Sequence, residues 1–259
     1  MNEILSLARS FGQAEWMIWV AVFSRIGAAC ALLPGFGEKA VPARVKLMAA
    51  FGFTAILIPL LWDEMSDIVN DQPLIKVILF ESVTGLVIGV FFRLIVTVLQ
   101  IAGAVAAQST SLSQIFGAGI GAEPQAAFSS LLVLAGLALA ANLGLHVYLV
   151  KALLWSYDLF PALQLPVSSD LSEWGVAHIS HVFAFGFSLA APFVIASVVY
   201  NFGLGVINRA MPQLMVALVG APAISLGGLV ILFTAAPLIL MTWVDYLEAS
   251  MDFRVPNLP

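Results

Sequence analysis

The stretch GLGVINRAMPQLMVALVGAP, residues 203–222, lies between two long apolar runs and reads as a place where a helical chain stops and turns. It carries one charge, Arg209, two prolines, Pro212 and Pro222, and glycines at 203, 205 and 220. Proline lacks an amide proton and glycine weakens a helix, so a break across this stretch is expected. The apolar runs on both sides predict membrane helices. Broken backbone at membrane depth survives only where protein or a water-filled cavity surrounds it. The chain is therefore expected to help enclose a path.

Composition sets the class. Of 259 residues, 61% are hydrophobic and 10% charged, and the mean hydropathy is +1.04, which leaves too little polar surface for a fold in water. Six apolar runs emerge, at about 15–33, 45–62, 74–102, 127–157, 177–207 and 223–246. They predict an all-α polytopic membrane protein of about six long apolar helices. Runs three to five are longer than one spanning helix needs, so they are either tilted or project beyond the bilayer into an assembly. The first run follows Glu3 and Glu15 with only Arg9, the wrong charge for a signal peptide. It reads as an uncleaved helix behind a short amphipathic lead-in, with no soluble domain at either end.

A net charge of −5, with no basic cluster larger than Lys39, Arg44 and Lys46, points away from nucleic acid. The lone Cys30 excludes an internal disulfide framework and any multi-cysteine metal site. Lys39, Arg44 and Lys46 lie in the first connection and Arg209 in the fifth, while the second and fourth are acidic. By the positive-inside rule the first and fifth connections face the cytoplasm and both termini the far side.

Arg25, Glu81, Arg93 and Lys151 fall inside or near the ends of apolar runs. A charge at the bilayer centre costs roughly 3 kcal/mol or more, so such residues face protein or water and find partners. Glu81 and Arg93 are too far apart to pair along one helix, which leaves Arg25 or another subunit for Glu81. Lys151 and Arg93 also fit snorkelling at a helix end. His178 and His181, without a definite third ligand, make a poor metal site, and an interfacial helix start explains them better. No serine, cysteine or aspartate stands in a nucleophile motif, and there is no P-loop, so neither catalysis nor a cofactor is expected.

The other unusual stretch is QSTSLSQIFGAGIGAEP, residues 108–124. A polar run led by Gln108 passes through Leu112, Gln114, Ile115 and Phe116 into Gly117, Gly119, Ile120 and Gly121. It is either a simple connection or a loop that enters a cavity.

These features together resemble the FliR family of the flagellar export apparatus, which has counterparts in virulence type III secretion. The resemblance rests on PGFGEKAVPARVKL (34–47), on Glu81 with Gly85, Gly89 and Arg93, and on INRAMPQLMVALVGAP (207–222). Ala102-Gly103 followed by Gln108, and the patch from Asn142 to His146, extend it over essentially the whole chain. Met215 stands where the family often has asparagine, and a GHH-like patch keeps only His146.

The resemblance implies a non-enzymatic conduit component for unfolded flagellar subunits, in the bacterial inner membrane at the flagellar basal body. It implies FliP-like and FliQ-like gate partners with FlhB-like and FlhA-like neighbours, and a FliP-like portion (1–176) fused to a FliQ-like helical hairpin (177–259). Its characteristic loops bring Pro34, Gly35, Phe36, Gly37, Pro42, Arg44, Lys46, Asn208, Arg209 and Pro212 into the candidate set, beside Arg25, Glu81 and Arg93 as buried charges for assembly. The alternative is a small-solute secondary transporter, which internal inverted repeats would favour. No convincing repeat relates the two halves.

The resemblance also places a plug in the stretch 108–124, and its chemistry agrees. Leu112, Ile115, Phe116 and Ile120 suit a constriction that closes by excluding water, and the glycines suit one that moves aside. Deleting Ser111 to Gly119 should make the closed complex leak ions across the membrane, with Phe116→Asp leaking less. An ion-tight deletion strain whose complex still assembles would assign the barrier to another subunit.

Overall fold

A computed structural model describes residues 2–35, 41–69, 72–110, 124–166, 168–211 and 216–251. Among them there is no strand. Seven helices follow in order: α1 (Asn2–Leu32), α2 (Ala43–Val69), α3 (Leu74–Ser109), α4 (Pro124–Asn142), α5 (Leu145–Leu159), α6 (Ser168–Ala210) and α7 (Val216–Met251). Four of them, α2, α3, α6 and α7, contain stretches long and apolar enough to cross a membrane, or five if α4 and α5 count as one broken span. The all-α membrane architecture expected from composition is present, with four or five candidate spans among the described residues against the expected six.

The first run contributes only the shorter apolar stretch Trp16–Leu32, and two breaks fall differently from expectation. The fourth apolar run is not one helix. At Gly144 the backbone turns left-handed, with φ 85°, a conformation that glycine alone adopts freely. Leu143 N–H closes the end of α4 on Leu139 O, and α5 restarts as Val147 N–H donates to Gly144 O. Conversely, the expected break across 203–222 is much narrower, because α6 runs helical through Gly203 and Gly205 to Ala210, and α7 resumes at Val216. Glycine costs a helix about 1 kcal/mol, but a freed amide in hydrocarbon costs several, so the helix persists. The same logic carries α2 through Pro59 and α6 through Pro192. The first run and its lead-in form one continuous helix, α1.

The chain divides into two compact units. The first joins α1, α2 and α3 as far as Leu94 to α5, the connection after it and the start of α6 up to Gly175. Within it α1 packs on α2, with Trp19 and Phe51 stacked 5.5 Å apart and Phe23 meeting Phe51 edge-on. Against α3 the contact is closer still. A Cβ on Gly85 would collide with the Arg25 carbonyl, and one on Gly89 would stand 2.9 Å from the Ala29 carbonyl. Glycines one and two turns after Glu81 thus let two helix backbones touch.

The second unit comprises the described residues of Ile95–Leu143 and Val176–Asp252. It is knit by small residues and single hydrogen bonds. Ser129 Oγ donates to Gln100 O at 2.9 Å, beside Gly103, whose missing Cβ would stand 2.5 Å from Ser129. Trp243, 1% exposed, donates its indole N–H to Ile95 O at 2.9 Å. Phe128 and Phe193 meet edge-on.

The close approach at Gly85 gives a direct test. Gly85→Ala should lower stability by about 1–3 kcal/mol, because backbone must move to admit the methyl. Gly52→Ala, with nothing within 4 Å of the added carbon, should be neutral or stabilising. Thermal unfolding in native membranes reads both; equal effects would mean that the α1–α3 approach is not tight.

Candidate functional site

Arg25 lies on α1 and Glu81 on α3, both fully buried. Arg25 Nε donates to Glu81 Oε2 at 2.6 Å in a buried salt bridge. The guanidinium does not stop there. Its Nη1 donates to Ser156 O at 3.1 Å and Phe160 O at 3.0 Å, with Ser156 Oγ at 3.4 Å. Its plane lies over the Tyr157 ring, 3.7 Å from the centroid. Glu81 uses its second oxygen to accept the Leu163 backbone N–H at 2.8 Å.

Local sequence explains this convergence. Helix α5 ends where Phe160 leaves helical geometry ahead of Pro161; Ser156 O still accepts the Phe160 N–H at 2.9 Å, while a carbonyl past the last turn, such as Phe160 O, has no intrahelical donor. A cation at that end satisfies such a carbonyl and complements the helix dipole. Planar arginine spans a carboxylate, two carbonyls and an aromatic face at once, which an ammonium cannot do. Gly85 and Gly89 bring α1 close enough for the pair to form.

The other expected residues are placed differently. Arg93, expected as a buried charge, is exposed on α3. Twelve residues at 3.6 per turn rotate it about 120° from Glu81, away from the face that meets α1. Lys151 is also exposed. Gln108, expected to open the plug loop, belongs to the last turn of α3 and is exposed. Pro34 is buried and Gly35 follows with φ 82°, while Pro42 and Arg44 are exposed at the start of α2 and Lys46 is half-buried. Asn208 and Arg209 are exposed on the last turn of α6. Phe36, Gly37, Leu112, Gln114, Ile115, Phe116, Gly117, Gly119, Ile120, Gly121 and Pro212 lie outside the described residues. His181 stacks on Tyr246, 5.4 Å away, beside Phe185, and no group of three metal-ligating side chains occurs among the described residues.

Sequence reasoning missed Ser156, Tyr157, Phe160 and Leu163. The available signal was a polar pair, Ser156-Tyr157, closing an apolar run just before Pro161.

Among the described residues, long apolar helices, a bent helix pair and one buried charge cluster define a polytopic helical membrane protein. A family model described as bacterial export proteins, family 1, matches residues 16–250. The chain belongs to that family, the FliR family. It is 31% identical over 241 residues to the flagellar biosynthetic protein FliR of Caulobacter vibrioides, covering 92% of this chain and 96% of that one. The FliR of Aquifex aeolicus is 25% identical over 217 residues, 83% of each chain. That of Bacillus subtilis is 25% identical over 227 residues, 86% of this chain and 84% of that one.

Removing one member of the buried pair should cost far more than removing an exposed charge. Glu81→Gln should destabilise by about 3–5 kcal/mol, because Arg25 keeps its charge without a counterion. Arg25→Met with Glu81→Leu should cost less than the two single changes summed. Lys151→Gln, an exposed charge on α5, should stay within about 0.5 kcal/mol. Thermal unfolding followed in native membranes checks all three, and a harmless Glu81→Gln would mean that the pair contributes little.

Proposed function

We propose that this protein is a component of the flagellar type III protein export gate, forming part of the conduit through which unfolded flagellar subunits leave the cell interior. The observation that carries this reading is similarity over nearly the whole chain to flagellar biosynthetic proteins FliR, within a family of bacterial export proteins. Because the match covers almost the entire length of both chains, it concerns the whole architecture. The solute-transporter alternative has no comparable support.

The surface supports a life among other subunits. Helix α6 has 43 residues, about 64 Å at 1.5 Å per residue, roughly twice the apolar thickness of a bilayer. Large apolar side chains stand open along it and its neighbours, including Phe202 at 75% and Phe233 at 84% exposure. Lipid covers such a face only over the bilayer thickness. The remainder needs protein, and FliP-like and FliQ-like subunits are the partners the family resemblance supplies, with FlhB-like and FlhA-like proteins beside them. In this reading the gate sits in the bacterial inner membrane at the flagellar basal body. Residues 1–176 act as a FliP-like portion, and 177–259 as a FliQ-like hairpin. The stretch 108–124 is the plug, and no catalytic step is assigned to this chain.

Expressed alone, the protein should aggregate or stay polydisperse in mild detergent, and it should become a single defined species when co-expressed with FliP-like and FliQ-like proteins. Size-exclusion chromatography with light scattering distinguishes the two states. A stable monodisperse monomer, indifferent to those partners, would count against a role in the gate.

A further inference from the structure

The connection between α5 and α6 has a feature that the export role does not require. Leu163 holds a left-handed backbone, φ 61°, the only residue other than glycine to do so among the described residues. A side chain with a Cβ occupies that region at a cost, and it persists only where surrounding contacts impose it. Here the contacts are identifiable. Glu81 Oε1 accepts the Leu163 N–H, Arg25 Nη1 holds Phe160 O, and Arg25 and Glu81 are bound to each other. Ala162 and Leu163 are buried at 3% and 8% exposure, while Pro161 and Gln164 on either side are exposed. This tuck of two residues is closed as a turn by the Gln164 N–H on Pro161 O at 3.2 Å, and it is tied down to the helices by one ion pair.

We propose that Arg25 and Glu81 form a latch on this connection. Closed, the pair holds Leu163 in its left-handed turn and keeps Ala162 and Leu163 packed. Open, the strain at Leu163 is released and residues 160–165 come away as a unit while the helices stay formed. The latch is asymmetric in its chemistry. On the Arg25 side the groups to be met are acceptors, the carbonyls of Ser156 and Phe160. On the Glu81 side the group is a donor, the Leu163 amide. Exchanging the two charges restores the ion pair but sets a carboxylate against two carbonyls and a guanidinium against an N–H. A simple ion pair would tolerate that exchange and this latch does not.

The test is the rate at which a maleimide labels a cysteine placed at Ala162, in the full chain in native membranes, with the buried Cys30 changed to alanine. A cysteine at Ala190, also buried but in the second unit, reports general loosening. Labelling at both should be slow with Arg25 and Glu81 present. Glu81→Gln should raise the rate at 162 roughly tenfold or more, the scale set by losing one charge-assisted hydrogen bond, and leave 190 slow. Arg25→Glu with Glu81→Arg should label as fast as Glu81→Gln. An exchanged pair as slow as the parent, an unchanged rate in Glu81→Gln, or fast labelling at both cysteines would overturn the latch. If the exchanged pair does not accumulate, Arg25→Lys decides. One ammonium cannot span Glu81, Ser156 and Phe160, so the rate at 162 must rise several-fold, and an unchanged rate overturns the proposal. Labelling is read on the chain itself, so the outcome is independent of whether it passes exported subunits.

Discussion

A buried guanidinium is the constraint from which the first unit is built. Taking an arginine and a glutamate out of water costs several kcal/mol per ion, and their mutual attraction offsets this only when the remaining donors and acceptors are also met. Arg25 and Glu81 meet most of that condition by recruiting backbone from elsewhere, with Arg25 Nη2 left without a hydrogen-bond partner. The carbonyls of Ser156 and Phe160 and the amide of Leu163 lie more than seventy residues beyond either charge along the chain. Three sequence-distant pieces, α1, α3 and the end of α5, therefore have one mutual arrangement in which no charge is stranded. Gly85 and Gly89 are the steric half of the same requirement, since the pair at 2.6 Å forms only if α1 and α3 nearly touch.

The second unit reaches specificity by other means. It has no buried ion pair among its described residues, and its helices are registered by small residues and lone hydrogen bonds. Ser129 reaches Gln100 O, Trp243 reaches Ile95 O and Ser225 reaches Thr110 O. Each is a neutral donor on a carbonyl, worth about 1 kcal/mol or less between membrane helices. The contrast assigns rigidity to the first unit, where a broken contact strands a charge.

Helix class was legible from the sequence because apolar run length is a strong signal and hydrocarbon admits few alternatives to helix. The number of helices was less so. Gly144 and Gly203 look alike as letters, yet one breaks a helix and the other does not. Gly144 follows Asn142 and Leu143, whose polar amide and open position allow α4 to end. Gly203 lies among Phe202, Leu204 and Val206, where ending the helix would strand amides. The pairing of Glu81 with Arg25 was open to sequence reasoning as one of two choices, because a buried charge demands an opposite one. Its backbone partners were not, since a carbonyl leaves no mark in the sequence. Arg93 is exposed in this chain for a geometric reason: a run of fourfold spacing, 81, 85, 89 and 93, drifts 40° per step on a helix of 3.6 residues per turn. By the third step the residue has left the face on which it began.

The exposed faces of this protein are prepared for apolar cover in a way that the large side chains alone do not reveal. Exposed hydroxyls along α7 are already bonded to carbonyls in their own helix, Thr234 to Val230 and Thr242 to Leu238. Asn142 and Asn201 do likewise with their side-chain amides, to Ala138 and Ser197. A polar group so satisfied can be covered by lipid or by another helix without leaving a donor unmet, where an unsatisfied one would cost about 1–3 kcal/mol. These helices therefore need no compensating polar partner at each serine or threonine, and contact with a neighbour rests on packing. Such a surface accepts different apolar neighbours at different heights along one long helix. That suits a chain whose 43-residue α6 outruns the thickness of any single bilayer.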